Sequence, residues 1–307
     1  MKSILPGFIL VALLLISCRK DAKLIEGSIE FVETIGKPGK QLGEFNFVTS
    51  PGLGWAAEHD GNYLYIADSD NHRVQRFNSD NSVKDWWGYL NGKLGFHTES
   101  EAADDNLDPT KIIYKNQHLY IPSYINYEYQ LFKIDLDGNL IYNYPIKFSN
   151  YASFCVDNDD NTFVYIDDDI FKYDSIGNLV ETFAGFGIKD GELKNDGYTI
   201  QIVIDENDFI YAIDAGNNRI QKYNNKGDFI KNWGVGATLG YASMYYFDQK
   251  LYIKEDEFLN AYNANGELVS KWKDNVLHKQ LQIIITKNKI FEPDPHNQNI
   301  KVFEFKE

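Results

Sequence analysis

Along most of the chain, short apolar alternations are separated by polar turns that carry glycine or asparagine. The clearest pair is Tyr65-Ile66-Ala67-Asp68-Ser69-Asp70-Asn71-His72-Arg73-Val74-Gln75-Arg76-Phe77 and Tyr211-Ala212-Ile213-Asp214-Ala215-Gly216-Asn217-Asn218-Arg219-Ile220-Gln221-Lys222-Tyr223. In each, an apolar strand leads through a polar turn into an alternating strand that ends on an aromatic ring. Weaker copies start near Tyr120, Val164, Tyr252 and Phe291, a period of roughly 45 residues. That length suits one four-stranded propeller blade and is too long for a single hairpin. The pattern therefore predicts an all-β, six-bladed β-propeller of four-stranded antiparallel blades.

A second repeat follows each copy. Residues 135–139, 174–178, 224–228 and 263–267 place Gly138, Gly177, Gly227 and Gly266 fourth in a five-residue turn, and Asn81 takes the same place in the first copy. Glycine and asparagine tolerate positive φ, so these are hairpins between third and fourth strands. Fourth strands are expected at 83–87, 140–144, 179–183, 229–233 and 268–272, and inner strands at 54–58, 110–114, 153–157, 201–205, 244–247 and 282–286. Trp86 and Trp87 should face opposite sides of their strand, one into a blade interface and one outward. Residues 88–109 show no further blade, and the last copy is one strand short. Glu30-Phe31-Val32-Glu33-Thr34-Ile35 matches Asn178-Leu179-Val180-Glu181-Thr182-Phe183 and has no repeat body of its own. Pairing it with residues 300–305 would close the ring with an N-terminal strand and remove two exposed sheet edges.

Residues 4–16 form an apolar run after Lys2, too short to span a bilayer and suited to a signal peptide. Leu15-Ile16-Ser17-Cys18 at its end resembles a bacterial lipoprotein signal, which implies lipidation at Cys18, palmitate included, and attachment to a membrane of the cell envelope. The Arg19-Lys20-Asp21 start of the following segment resembles sorting signals of Bacteroidetes surface lipoproteins, implying the outer membrane, with three residues too few to decide between its periplasmic and surface faces. The expected division is 1–17 signal peptide, 18–28 lipidated tether and 29–307 propeller. A net charge of −15, from 30 basic and 45 acidic residues, makes nucleic acid a poor partner. Two cysteines exclude a disulfide-built fold, and Cys155 reads as a buried inner-strand thiol.

The two best copies resemble NHL repeats, a family of six-bladed propellers, through Asp68, Asn71, His72 and Arg73 and through Asp214, Asn217, Asn218 and Arg219. These residues are expected to stabilise turns, with the arginines tying carboxylates or carbonyls between blades. Some related propellers are metal-dependent lyases, lactonases or esterases, so the resemblance leaves a metal-dependent enzyme, with calcium or zinc, as the alternative function. The residues themselves predict no cofactor: the six histidines are scattered with no close metal-binding pair, and the acidic runs 157–161 and 167–169 read as solvated turns. The main expectation is a lipid-anchored binding module for a protein, peptide or glycan. Its candidate surface is the set of loops holding Asp70, Tyr124, Tyr127, Asp168, Asn217, Glu255 and His296.

Overall fold

In the computed structural model the described residues are 24–47, 57–98, 103–104, 107–125, 128–149, 152–197, 201–235, 239–240, 242–255, 257–277 and 282–306. The signal segment, Cys18, Tyr127 and His278 lie outside them.

The expected ring of six antiparallel blades forms. Blade one is Ala57–His59, Leu64–Asp68, Arg73–Phe77 and Val83–Leu90; blade four, its best sequence match, is Ile202–Ile204, Ile210–Asp214, Arg219–Tyr223 and Phe229–Gly234. In both, the second and third strands are almost wholly buried, because neighbouring blades cover the two faces that a strand's alternation presents. The core is consequently divided among the blade interfaces.

Ring closure follows the expected pairing. Ile25–Ile35 runs antiparallel to Asn299–Lys306, with Ile29 opposite Phe305 and Ile35 opposite Ile300, and a bulge between Phe31 and Glu33. The strand starts earlier than the expected tether boundary allows. Ile25 to Ser28 already pair, in parallel, with Ser270 to Lys273 on the outer strand of blade five. The amino-terminal strand thus completes blade six and stitches it to blade five.

The turn glycines do two jobs. Gly177 has φ +90°, and a Cβ there would lie 2.3 Å from Cγ of Tyr144 on the outer strand of blade two. Gly138, Gly227 and Gly266 likewise sit against Phe96, Phe183 and Trp233 of the preceding blade. Each turn is therefore capped by an aromatic ring from the blade before it. Asn81, at φ +65°, faces the closing strand instead, where Ile35 takes the place of Phe183, and donates through Nδ2 to Glu33 Oε1 at 2.7 Å.

The stretch after residue 88 departs from expectation. Lys93–His97 adds a fifth, outermost strand to blade one, and Asp108–Pro109 pairs with the second strand of blade two. That extra strand corrects the reading of the tryptophans: both are fully buried. Trp86 packs on His97 with ring centroids 4.7 Å apart, while Trp87 meets Phe132 and donates to the Gly138 carbonyl of blade two.

Candidate functional site in the central channel

The paired repeat motifs are structural clamps. Asp68 and Arg73 are fully buried, with Arg73 Nε 2.9 Å from Asp68 Oδ2. Asp68 also accepts from Asn71 Nδ2, Gln75 Nε2 and the Asn46 N–H, while Arg73 Nη2 donates to the Gln41 carbonyl. Blade four repeats this with Asp214, Asn217, Arg219 and Gln221 holding the Lys194 N–H and the Lys189 and Gly187 carbonyls. The clamped partner is each time the loop arriving from the preceding blade. That loop has its own repeat, Gly39, Gly43 and Glu44 against Gly187, Gly191 and Glu192, at a constant offset in the sequence. His72 and Asn218 both occupy the left-handed position after the short 3₁₀ turn, which explains why either residue serves. His72 Nδ1 lies 2.7 Å from Asp108, and Asn218 Oδ1 accepts from the Leu239 N–H.

The described candidates Asp70, Asp168, Asn217, Glu255 and His296 sit on the turns between second and third strands, and Tyr124 is near the end of the second strand of blade two. Asp168 accepts from the Asn195 N–H and the Tyr165 hydroxyl, Asn217 belongs to the clamp, and buried Glu255 accepts from Tyr262. Asp70, Tyr124 and His296 are exposed, Tyr124 packing against Tyr129. The acidic runs are turn chemistry. Asp157 accepts from the backbone of Asp159 and Asn161, and Asp167 and Asp168 take positive φ as a two-residue hairpin turn.

None of these residues lines the main cavity. That cavity, about 510 Å³, runs along the axis of the ring between the innermost strands of the blades. Asp205, Glu206, Asp248 and Gln249 stand at its lower mouth, on turns between first and second strands, at the end of the barrel opposite the candidate loops. Its walls mix apolar residues such as Ile112, Phe154 and Met244 with polar ones such as Glu58, Lys111 and Gln201.

Glu58 enters the channel from the inner strand of blade one. Its Oε1 accepts from the Tyr245 hydroxyl of blade five at 2.9 Å and from the His59 N–H at 2.9 Å, and the Tyr114 backbone of blade two also hydrogen-bonds it. The carboxyl is thus suspended between three inner strands, two of them from non-adjacent blades. Desolvation outweighs the hydrogen bonds that favour its charged form, and its pKa is raised to about 7. The same desolvation, reinforced by Glu58, pushes Tyr245 well above the usual phenol range. Burial lowers the His59 imidazole, whose ring lies nearly parallel to Phe291. Lys111, in the channel wall of blade two, is lowered by burial to about 8. His59, His97 and His118 are half-buried. Cys155 is buried in the wall as expected, its thiol pushed up by desolvation.

No known protein-family profile matches the chain, and no curated protein matches it in sequence. Solved structures do resemble it. Virginiamycin B lyase from Staphylococcus aureus has a TM-score of 0.54 at 12% identity, covering 86% of this chain and 99% of that one. A streptogramin B lyase gives 0.55 at 11%, covering 86% and 97%. A protein of unknown function from Bacteroides thetaiotaomicron gives 0.58 at 10%, covering 91% and 76%. The likeness is one of fold. Among the described residues no three histidine, cysteine, aspartate or glutamate side chains converge on a point where an ion could sit, so the calcium or zinc of the alternative reading finds no ligand set there.

Glu58, Lys111 and Tyr245 carry a sequence signal only as polar residues within the expected inner strands 54–58, 110–114 and 244–247, and nothing in the sequence brings the three together.

Proposed function

We propose that this chain is a propeller enzyme of the lyase or ester-cleaving type, with Glu58 as its acid–base group. The observation that carries the reading is the Glu58–Tyr245 pair, spanning the central channel with the carboxyl raised to about 7. Near neutral pH both forms of such a carboxyl are populated, the condition under which one group can take and return a proton. The ionised form takes a proton from a carbon beside a substrate carbonyl, the electron pair moves to expel the leaving group, and the protonated form passes that proton to it. No water is consumed. Tyr245 keeps the carboxylate oriented by donating to Oε1.

The similarity to virginiamycin B lyase and streptogramin B lyase supports this reading to the extent that the same fold holds lyases. The test is incubation of the purified domain with virginiamycin B, quinupristin and esters that carry a carboxylate leaving group on the carbon next to an acidic C–H beside a carbonyl, followed by mass spectrometry. Cleavage by the wild type, lost by about a hundredfold or more in Glu58→Gln, is expected. Turnover that survives Glu58→Gln would overturn the assignment, and an inert wild type across the panel would end the enzyme reading.

A second reading, a binding module that uses the opposite face, is supported by the exposed Asp70, Tyr124 and His296. For location we propose a lipoprotein anchored through Cys18 to the bacterial cell envelope, with an NHL-type repeat origin for blades one and four. The support is the Leu15-Ile16-Ser17-Cys18 sequence and the paired clamp motifs. Metabolic lipid labelling that persists in Cys18→Ser would refute the anchor.

A further inference from the structure

Charge is distributed unevenly along the channel. The lower mouth carries Asp205, Glu206 and Asp248 with Lys115, so carboxylates outnumber the ammonium group there. Glu206 accepts from the Tyr246 hydroxyl, and Asp205 is buried against Tyr211 with Lys222 3.8 Å away. Farther up the wall stands Lys111. Among the described residues no carboxylate pairs with it, and burial alone accounts for its lowered pKa. It precedes Tyr114, which contacts Glu58, by three residues on the same chain segment, so its Cα lies no more than about 10 Å from that level. Ile112, Phe154, Val156 and Met244 supply apolar wall within the same cavity.

A desolvated ammonium without a counter-ion is costly unless a ligand supplies the opposite charge. Resting on the acid–base reading of Glu58, we propose that the channel takes a substrate bearing a carboxylate, which Lys111 holds while the apolar body of the molecule places its reacting carbon at Glu58. The acidic lower mouth repels a carboxylate and fixes this orientation, carboxylate toward Lys111 and away from Asp205, Glu206 and Asp248. Lys111 is here a positioning residue: it sets which molecules bind and which way round, and takes no part in moving the proton.

The test reads binding, so that it stands apart from turnover. Acetylation of Lys111 by acetic anhydride is followed by peptide mass spectrometry in the presence of 4-phenylbutyrate or its uncharged amide, 4-phenylbutyramide. The carboxylate is expected to slow the modification of Lys111 by about tenfold, the equivalent of one charge-assisted hydrogen bond, and the amide to have little effect. Calorimetric binding of 4-phenylbutyrate should be lost in Lys111→Met and kept in Lys111→Arg. Protection should persist in Glu58→Gln, whose lesion is in chemistry. Equal protection by acid and amide, or protection by neither, overturns the proposal even if Lys111→Met fails to fold, because that comparison uses the wild type. Glu58-dependent turnover together with absent protection would remove the substrate class and leave the acid–base reading standing.

Discussion

Removing the closing strand should cost the domain most of its stability. A chain starting at Leu24 keeps Ile25–Ile35; one starting at Lys37 loses it. The loss removes Ile29 and Ile35, which are 6% and 5% exposed, each worth about 1.5–3 kcal/mol of apolar burial. It also removes the backbone pairing along Asn299–Lys306, at about 1 kcal/mol per hydrogen bond, and the edge-on contact of Phe31 with Phe303. Together these reach about 6–10 kcal/mol, comparable with the total stability of about 5–15 kcal/mol that a folded domain has. Thermal unfolding followed by circular dichroism should show the shorter chain melting at least about 10 °C lower or without a cooperative transition. Size exclusion should show it associating, because the edges of Asn299–Lys306 and Leu268–Lys273 become free. A chain starting at Ile29 gives up only the parallel stitch to blade five and should melt between the two. Equal melting temperatures and monomeric profiles for all three would refute the closure argument.

Other substitutions separate roles that look alike in sequence. Arg73→Ala strands Asp68 and Arg219→Ala strands Asp214, both fully buried carboxylates, and each should cost about 3–5 kcal/mol in urea unfolding; losses below about 1 kcal/mol would contradict the clamp reading. Gly177→Ala combines positive φ with collision against Tyr144 and should destabilise by about 2–4 kcal/mol, whereas Asn81→Gly should stay within about 1 kcal/mol by the same measurement. Glu58 carries its carboxyl near 7 when folded against 4.5 when unfolded, so the folded state binds the extra proton between those values. Stability should therefore fall as pH rises through that window, by about 3 kcal/mol in total, and Glu58→Gln should abolish that part of the slope; parallel pH profiles for the two proteins would contradict it.

How much of this was readable in the chain depended on how local the cause is. Positive-φ turns at Gly138, Gly177, Gly227, Gly266 and Asn81 are steric facts about single residues, and all appear where the repeat places them. Closure by residues 30–35 was legible because an orphan strand and an incomplete blade imply one another. The fifth strand at Lys93–His97 was hidden in a glycine-containing stretch without a repeat partner, and with it the burial of Trp86. The site was harder still. Glu58 and Tyr245 are 187 residues apart and meet only because the ring turns both inner strands toward one axis. Loop residues such as Asp168, Asn217 and Glu255 looked available because their internal partners, in the preceding loop or across the hairpin, could not be read from composition.

The channel reading stands or falls with the ionisation of one carboxyl. Carbon-13 NMR of glutamate-labelled protein, with the Glu58 signal assigned by its disappearance in Glu58→Gln, follows that carboxyl directly through a pH titration. The expected midpoint is about 7, rising further in Tyr245→Phe because the lost hydrogen bond favours the ionised form. A midpoint in the ordinary glutamate range near 4.5, unmoved by Tyr245→Phe, would contradict the account.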